Sequence, residues 1–362
     1  MKTFFDLKQE VRATGRCHGC GGCVTFCTAI NYGALHMVDD VPRFKSVEKC
    51  IDCGLCYRIC PVVGDLDEHI KKQTGWSAPI GRILETTVAQ AKDASLRARA
   101  TDGGVVTGIL LHLFDTGRID GAIVIKNTAE GRKPILATTR EDIIESAGFS
   151  FNTAKGITQL GETYSTYSPV AQALGSLIRQ GLKRIAFVGT PCQIKSIRKM
   201  QALKIVPSDA IKFYFGRFCN ANYDFSGGKA RELEEFANCK MDDIRKINIK
   251  DDLLLHHKDG TIRKIALRDL DFAKRSACAF CDDFTAEYSD ISFGGLGASE
   301  GWTTVITRTP LGRAVFADAR DAALDFLSID ENLKLDSTVL QKLQESSARK
   351  RAAAEERQAI RK

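Results

Sequence analysis

Apolar and polar residues alternate in short blocks along most of this 362-residue chain, and the period of the alternation changes from block to block. Residues 86–92, TTVAQAK, read as a strand. Residues 105–117, VVTGILLHLFDTG, read as an apolar helix closed at its C-terminus by Gly117. DGAIVIK (120–126) predicts the next strand. Further on, LGSLIRQG (174–181) reads as helix, KRIAFVG (183–189) as strand, CQIKSIRKMQ (192–201) as helix and AIKFYFGRF (210–218) as strand. Strand and helix alternating in this way predict an α/β core. Past residue 240 the pattern turns strand-rich: LLLHHKDGTIRKIAL predicts a hairpin turning at Asp259-Gly260, and the last fifty residues read as helical. Near the N-terminus GALHMVDDVPRFKS (33–46) suits a short hairpin, and GWSAPIG marks a boundary near residue 75. The expectation is an α+β protein in three parts: 1–75, a core over 76–325 with a mixed sheet, and a helical extension over 326–362.

Composition narrows the class. Hydrophobic residues make up 44% and charged residues 27%, the balance of a soluble globular protein. The longest apolar run, Val105–Phe114, is broken by Gly108 and His112, and a membrane span needs roughly 18–20 residues. The opening MKTFFDLKQEVRATGR has no apolar core of a secretory signal. A cytoplasmic protein is therefore expected, at most held peripherally on the cytoplasmic face of a membrane by a partner. A formal charge of +7 suits an anionic cofactor or an acidic partner. Nucleic acid is set aside, because aromatic and basic residues do not interleave and no Cys–His finger spacing occurs. The basic tail from 348 to 362 reads as a solvated helix face.

Thirteen cysteines change the picture, since eight of them precede residue 61. In a chain without an export signal they argue for metal or redox chemistry instead of disulfides. CHGCGGCVTFC (17–27) and CIDCGLCYRICP (50–61) are both C-x2-C-x2-C-x3-C, the spacing of ferredoxins that hold two [4Fe-4S] clusters. Three cysteines at i, i+3 and i+6 in a tight loop reach three corners of one cubane, and the fourth points to the other cluster. One cluster then takes Cys17, Cys20, Cys23 and Cys60; the other takes Cys50, Cys53, Cys56 and Cys27. Gly19, Gly21, Gly22 and Gly54 let backbone N–H groups face the sulfurs. Pro61 follows Cys60 as the pattern requires, whereas Thr28 stands after Cys27. Zinc normally takes two separated Cys pairs, not four crowded cysteines. The module signals electron transfer without naming a reaction.

Two glycine-rich turns are candidate cofactor contacts. Asp102-Gly103-Gly104 immediately precede the apolar helix, with Thr107 in its first turn, a place where free N–H groups favour a phosphate; from these residues alone a plain capped helix is the stronger reading. DISFGGLGASEGWTTVITRT (290–309) lacks the third glycine of a dinucleotide fingerprint, and a strand-like run follows it where that fingerprint needs a helix.

Four segments together resemble the family of coenzyme F420-reducing hydrogenase/dehydrogenase β subunits: ATDGGVVTGILLHLFDTGRIDGAIV (100–124), VGTPCQIKSIRKM (188–200), GRFCNANYDF (216–225) and KRSACAFCDDFTAEYSDISFGGLGASEGWTTVITRT (274–309). The match spans about residues 76–320, and with the two-cluster module in front the chain looks most like the F420H2 dehydrogenase branch of that family. The resemblance implies an α/β flavoprotein core that moves hydride between coenzyme F420 and FAD and passes single electrons through [4Fe-4S] clusters to or from a partner subunit or ferredoxin. It also implies a third cluster, on Cys192, Cys219, Cys278 and Cys281, leaving Cys239 spare. For FAD it carries over Asp102, Gly103, Gly104, Val106, Thr107, Tyr164, Ser165, Thr190, Gln193, Gly294, Gly297, Ser299 and Trp302. No side-chain catalyst is implied, because hydride transfer between stacked rings is a matter of alignment. Lys195, Arg198, Lys199, Arg275 and Arg308 are candidates to attract the anionic F420 tail. The alternatives are a same-family flavin and iron–sulfur reductase with another substrate, and a pure electron-relay subunit.

Overall fold

The computed structural model describes residues 1–29, 33–38, 41–128, 131–148, 181–205, 208–223, 228–250, 252–327 and 329–360. Its first strands, β1 (Leu35–Val38) and β2 (Val41–Phe44), form the antiparallel hairpin expected near the N-terminus. The strands that follow are β3 (Glu85–Ala91), β4 (Gly121–Thr128), β5 (Gly131–Ala137), β6 (Ile185–Gly189) and β7 (Ile211–Arg217). Then come β8 (Ile244–Ile249), β9 (Asp252–His257), β10 (Ile262–Ala266), β11 (Ile291–Gly294), β12 (Thr303–Thr307) and β13 (Leu324–Phe326). Eight of them make one mixed sheet in the order β13-β3-β12-β11-β7-β6-β4-β5. Its centre is parallel, β11/β7, β7/β6 and β6/β4, and its flanks are antiparallel.

The reason these segments form the sheet centre is their unbroken apolarity, which only a strand covered on both faces can bury. Every residue of β6 is buried. Ala186 and Val188 pack on one face with the helices Val105–Asp115 and Pro310–Ala323, while Ile185 and Phe187 pack on the other with the helix Pro191–Ala202. A bulge at Lys212 lets Ile211 and Phe213 serve opposite faces although they are two apart. The second face is completed by Phe26, Ile59 and Ile70, so the N-terminal module is built into the core of the molecule.

Charge fastens that junction. Lys195 and Lys199 both reach Asp67, each at 2.8 Å, and Lys199 also donates to the carbonyls of Cys60 and Val63. Gly22 approaches the same helix so closely that a Cβ there would lie 2.2 Å from Ser196 Oγ.

The strands expected at 86–92, 120–126, 183–189 and 210–218 and the helices at 105–117 and 192–201 are all present within a residue or two. Gly117 takes φ +66°, and the strand-like run after Gly301 is β12. The hairpin β9–β10 turns through Asp259-Gly260 and joins β8 in a separate three-stranded sheet. The helix expected at 174–181 lies outside the described residues apart from Gly181. The C-terminal helix Ile329–Ile360 carries a buried stripe of Val339, Leu343, Ser347 and Ala354, while most of its residues from 348 to 360 are exposed, as expected of the basic tail. Among the described residues no helix is long and apolar enough to cross a membrane.

Candidate iron–sulfur and cofactor sites

The two N-terminal motifs fold so that their cysteines cross over. Cys23 and Cys27 stand on the helix Gly22–Ala29, where four residues advance about 6 Å along the axis. That rise sends them to different cavities. Cys17, Cys20, Cys23 and Cys60 line a cavity of about 30 Å³ roofed by Phe4, Leu7 and Val11. Cys27, Cys50, Cys53 and Cys56 line another of about 20 Å³ that Phe4 and Leu35 close. Gly19, Gly21 and Gly54 all take positive φ, the conformation that lets these loops double back. Backbone groups of Gly19 and Gly22 hydrogen-bond the sulfurs of Cys17 and Cys20. Burial pushes the Cys20 thiol up to about 11 and those of Cys56 and Cys60 to about 12, so they hold their protons until a metal displaces them.

A third cavity, of about 20 Å³, is lined by Cys192, Cys219, Cys278 and Cys281. Cys192 opens the helix after β6, Cys219 follows β7, and the pair Cys278/Cys281 comes from the turn Ser276–Phe280. Adjacent parallel strands thus deliver two cysteines at their carboxyl ends, and the turn brings the other two. Asn222 N–H donates to Cys278 Sγ at 3.3 Å and its side-chain amide to Cys219 Sγ at 3.6 Å; Thr190 Oγ1 lies 3.3 Å from Cys192 Sγ. Burial pushes Cys219 up to about 12. Cys239 is elsewhere, against the three-stranded sheet. Among the described residues no three Cys, His, Asp or Glu side chains converge closely enough for a single ion. Four sulfurs spread around a cavity suit the four corners of a cubane instead, and this donor set with its N–H groups fits iron–sulfur binding.

His18 lines both this cavity and that of Cys17, Cys20, Cys23 and Cys60. Both its ring nitrogens are buried without a partner, and burial together with Lys350 and Arg275 holds the imidazole down at about 4, hence neutral. Lys350, from the C-terminal helix, also lines the third cavity. Burial alone would lower its ammonium, but Cys281, Cys219, Cys278 and Asp283 carry it above the ordinary lysine value.

A larger cavity, about 300 Å³, opens at the carboxyl ends of β6, β7 and β11, at Val188, Arg217 and Gly294, and beside Val124 and Ile125 in the middle of β4. This is where open α/β sheets bind ligands. Asp102, Gly104, Val106, Thr107, Thr190 and Gly294 line it. Gly103 lies just behind: its N–H donates to Thr303 Oγ1 at 2.9 Å, and a Cβ would meet the Ala89 carbonyl at 2.8 Å. Other expected contacts point elsewhere. Gln193 is buried, its side-chain Oε1 accepting from the N–H of Thr190 at 2.8 Å, and Gly297 is pressed against Val339. The Ser299 carbonyl accepts from Lys250, and Trp302 packs in an apolar cluster with Ile80 and Phe284. None of these four lines the cavity. Tyr164 and Ser165 lie outside the described residues.

The basic candidates need correction. Lys195 and Lys199 are spent on Asp67. Arg198 pairs with Asp290 at 2.9 Å and stacks 3.6 Å from the Tyr214 ring centre. Arg308 is buried and donates to the carbonyls of Ile80, Arg82 and Thr285, while Arg275 faces the third cysteine cavity. The cations that do line the large cavity are Arg217 and Lys250, which sequence reasoning missed. Arg217 Nε is buried without a partner, and burial lowers the guanidinium while Cys219 opposes the shift. Asn248, also missed, donates to Asp102 Oδ1 at 2.8 Å; burial nevertheless pushes that carboxyl up. GRFCNANYDF drew attention to Cys219, and Arg217 two residues earlier was the only available signal.

Crossed cysteine sets beside a cavity at the carboxyl edge of a parallel sheet define an iron–sulfur electron-transfer protein of the oxidoreductase class. Residues 9–61 match the 4Fe-4S dicluster domain. Residues 86–160 and 182–331 match the N-terminal and C-terminal parts of the coenzyme F420 hydrogenase/dehydrogenase beta subunit. The chain belongs to that family of beta subunits. It is 31% identical over 260 residues to coenzyme F420 hydrogenase subunit beta of Methanococcus voltae, covering 70% of this chain and 87% of that one. To a component of the F(420)H(2) dehydrogenase of Methanosarcina mazei it is 27% identical over 315 residues, covering 84% and 82%. Among solved structures, a chain of the F420-reducing NiFe hydrogenase complex from Methanosarcina barkeri matches with a TM-score of 0.65 at 25% identity, covering 78% of this chain and 93% of that one.

Proposed function

We propose that the chain holds FAD in the large cavity, exchanges hydride between that flavin and coenzyme F420, and passes single electrons through three [4Fe-4S] clusters to or from a partner protein. The observation that carries this reading is a file of sites with shared walls. Cys219 and Asn222 line both the large cavity and the third cysteine cavity; His18 joins that cavity to the one of Cys17, Cys20, Cys23 and Cys60; Phe4 joins the latter to the cavity of Cys27, Cys50, Cys53 and Cys56. Bound flavin would supply the interconversion of two-electron and one-electron transfer.

The residues suit that cofactor. The turn at Asp102–Gly104 and the first turn of the helix Val105–Asp115 present the positive end of the helix to an anion, and the unpartnered Arg217 Nε adds a donor. Val106, Val188, Phe218 and Phe293 make apolar walls that exclude water from a flat ring. The names of the relatives support coenzyme F420 as substrate, and the likeness to a chain of a hydrogenase complex supports a protein partner.

Iron and flavin quantitation on anaerobically purified protein tests the reading. The wild type is expected to carry roughly twelve iron atoms, the sum of three four-iron clusters, and one FAD. Cys192→Ser is expected to lose about four irons while the ferredoxin signal stays. Retention of all iron in the variant overturns the third cluster. Absence of flavin selects the relay alternative. If FAD is bound but F420H2 leaves it oxidised while another donor reduces it, the substrate assignment fails.

A further inference from the structure

The family match ends at residue 331, yet the helix Ile329–Ile360 runs on across the protein and packs against the turn that carries Cys278 and Cys281. Its buried stripe sets Lys350 facing inward. The Lys350 ammonium donates to the backbone carbonyl of Cys219 at 2.5 Å and to that of Asp283 at 2.8 Å, and it lines the third cysteine cavity. Among the described residues no carboxylate lies within ion-pair distance of it. An ammonium drawn part-way into the protein without an ion-pair partner is poorly solvated, so a group of opposite sign beside it is stabilising. The sulfurs of Cys281, Cys219 and Cys278 share that cavity wall with it, with the Asp283 carboxylate a further negative partner, and the sulfurs are anionic once a metal displaces their protons.

We infer that Lys350 supplies the counter-charge of the core cluster and raises its reduction potential. This rests on the proposal that Cys192, Cys219, Cys278 and Cys281 hold a [4Fe-4S] cluster. A four-iron cluster on four thiolates is anionic in both redox states and more so when reduced, so a fixed cation in its wall favours the reduced state. Lys350 acts through the cluster and touches no substrate: it is a positioning residue. It also gives a role to the one lysine that an otherwise exposed basic tail turns towards the cysteines. The charge is brought from the far end of the sequence to the point where electrons would leave the flavin.

The test uses whole, cluster-loaded protein and an EPR-monitored redox titration, with iron counted on every sample. K350Q removes the charge but keeps an N–H donor for the two carbonyls; K350R keeps both. In K350Q, poised at the wild-type midpoint of the core cluster, the oxidised-to-reduced ratio is expected to rise about tenfold, a fall of about 59 mV for a one-electron couple. K350R is expected to restore the wild-type midpoint, and the ferredoxin clusters are expected to stay put in both. An unchanged midpoint in K350Q with full iron overturns the inference. So does loss of about four irons from both variants, which makes Lys350 a clamp on its two carbonyls. A wild type with only about eight irons sinks the core-cluster reading itself and is distinguished from either result.

Discussion

At the scale of single residues, the strictest demands come from backbone contacts. Gly103 is wedged between strands, with the Ala89 carbonyl, Gln90 Cα and Thr303 Oγ1 all within 3.0 Å of where a Cβ would stand. Backbone cannot yield as a flexible side chain would, so Gly103→Ala is expected to cost ~1–3 kcal/mol in stability and to loosen the turn that faces the large cavity. Gly64→Ala, with nothing within 4 Å, is the control. Thermal melting of the two variants decides it: equal melting temperatures would mean that the contact with β3 is not limiting. The requirement could not be read from the DGG triplet, which suits a phosphate loop and a plain capped helix alike. The distance to Ala89 separates its two glycines: Gly104 takes φ +75° and begins the helix, while Gly103 makes the close approach.

At the scale of elements, the C-terminal helix is tied to the core by more than its apolar stripe. Glu287 accepts from Arg351 Nη2 at 2.8 Å and from Trp76 Nε1 at 2.6 Å, joining that helix, the 283–290 segment and the start of the core. Burial, followed by the Asp283 carboxylate, pushes the Glu287 carboxyl up to about 7. An acid whose folded pKa is raised binds its proton more tightly folded than unfolded. Its contribution to stability is then complete below the ordinary glutamate value of 4.5 and is lost as pH rises through about 7. Glu287→Gln retains the geometry and removes the titration. Chemical denaturation between pH 5 and pH 8 is expected to show wild-type stability falling relative to the variant as pH rises. A constant difference over that range would refute the buried, proton-binding carboxyl. The other clasp is two lysines on Asp67, and removing that carboxylate would leave a buried charge at a cost of ~3–5 kcal/mol.

At the scale of the whole molecule, the file of cavities gives each cysteine set a place in the proposed electron path, and position predicts phenotype. Cys53→Ser damages the set farthest from the large cavity. With F420H2 as donor, the flavin is expected to bleach at the wild-type rate while reduction of the protein partner stops. Cys192→Ser interrupts the path next to the flavin, so both ferredoxin clusters are expected to stay oxidised in the same experiment. Rapid-mixing absorbance with EPR on frozen samples separates the two. If Cys53→Ser slows flavin reduction as much as Cys192→Ser does, the order of sites is wrong.

Local chemistry was legible because it is set by neighbours in the chain. The C-x2-C-x2-C-x3-C spacing specifies which cysteines share a loop, and one helical turn between Cys23 and Cys27 specifies the crossover. Strand and helix boundaries followed from apolar period, since β6 and the helix after it bury whole faces. The third cysteine set was not legible by spacing, and only a family resemblance suggested it. Cys192, Cys219 and the Cys278/Cys281 pair meet because the sheet places β6 beside β7 and folds the 276–280 turn over their carboxyl ends. The cationic residues were misjudged for the same reason. A formal charge says nothing of partners, and only packing assigned Lys199 to Asp67, Arg198 to Tyr214 and Asp290, Arg217 to the large cavity and Lys350 to the cysteines. By itself the sequence determined what forms within a few residues of backbone. Tertiary structure alone decided which distant side chains share a buried volume, because that depends on strand order and on which charges the core leaves without water.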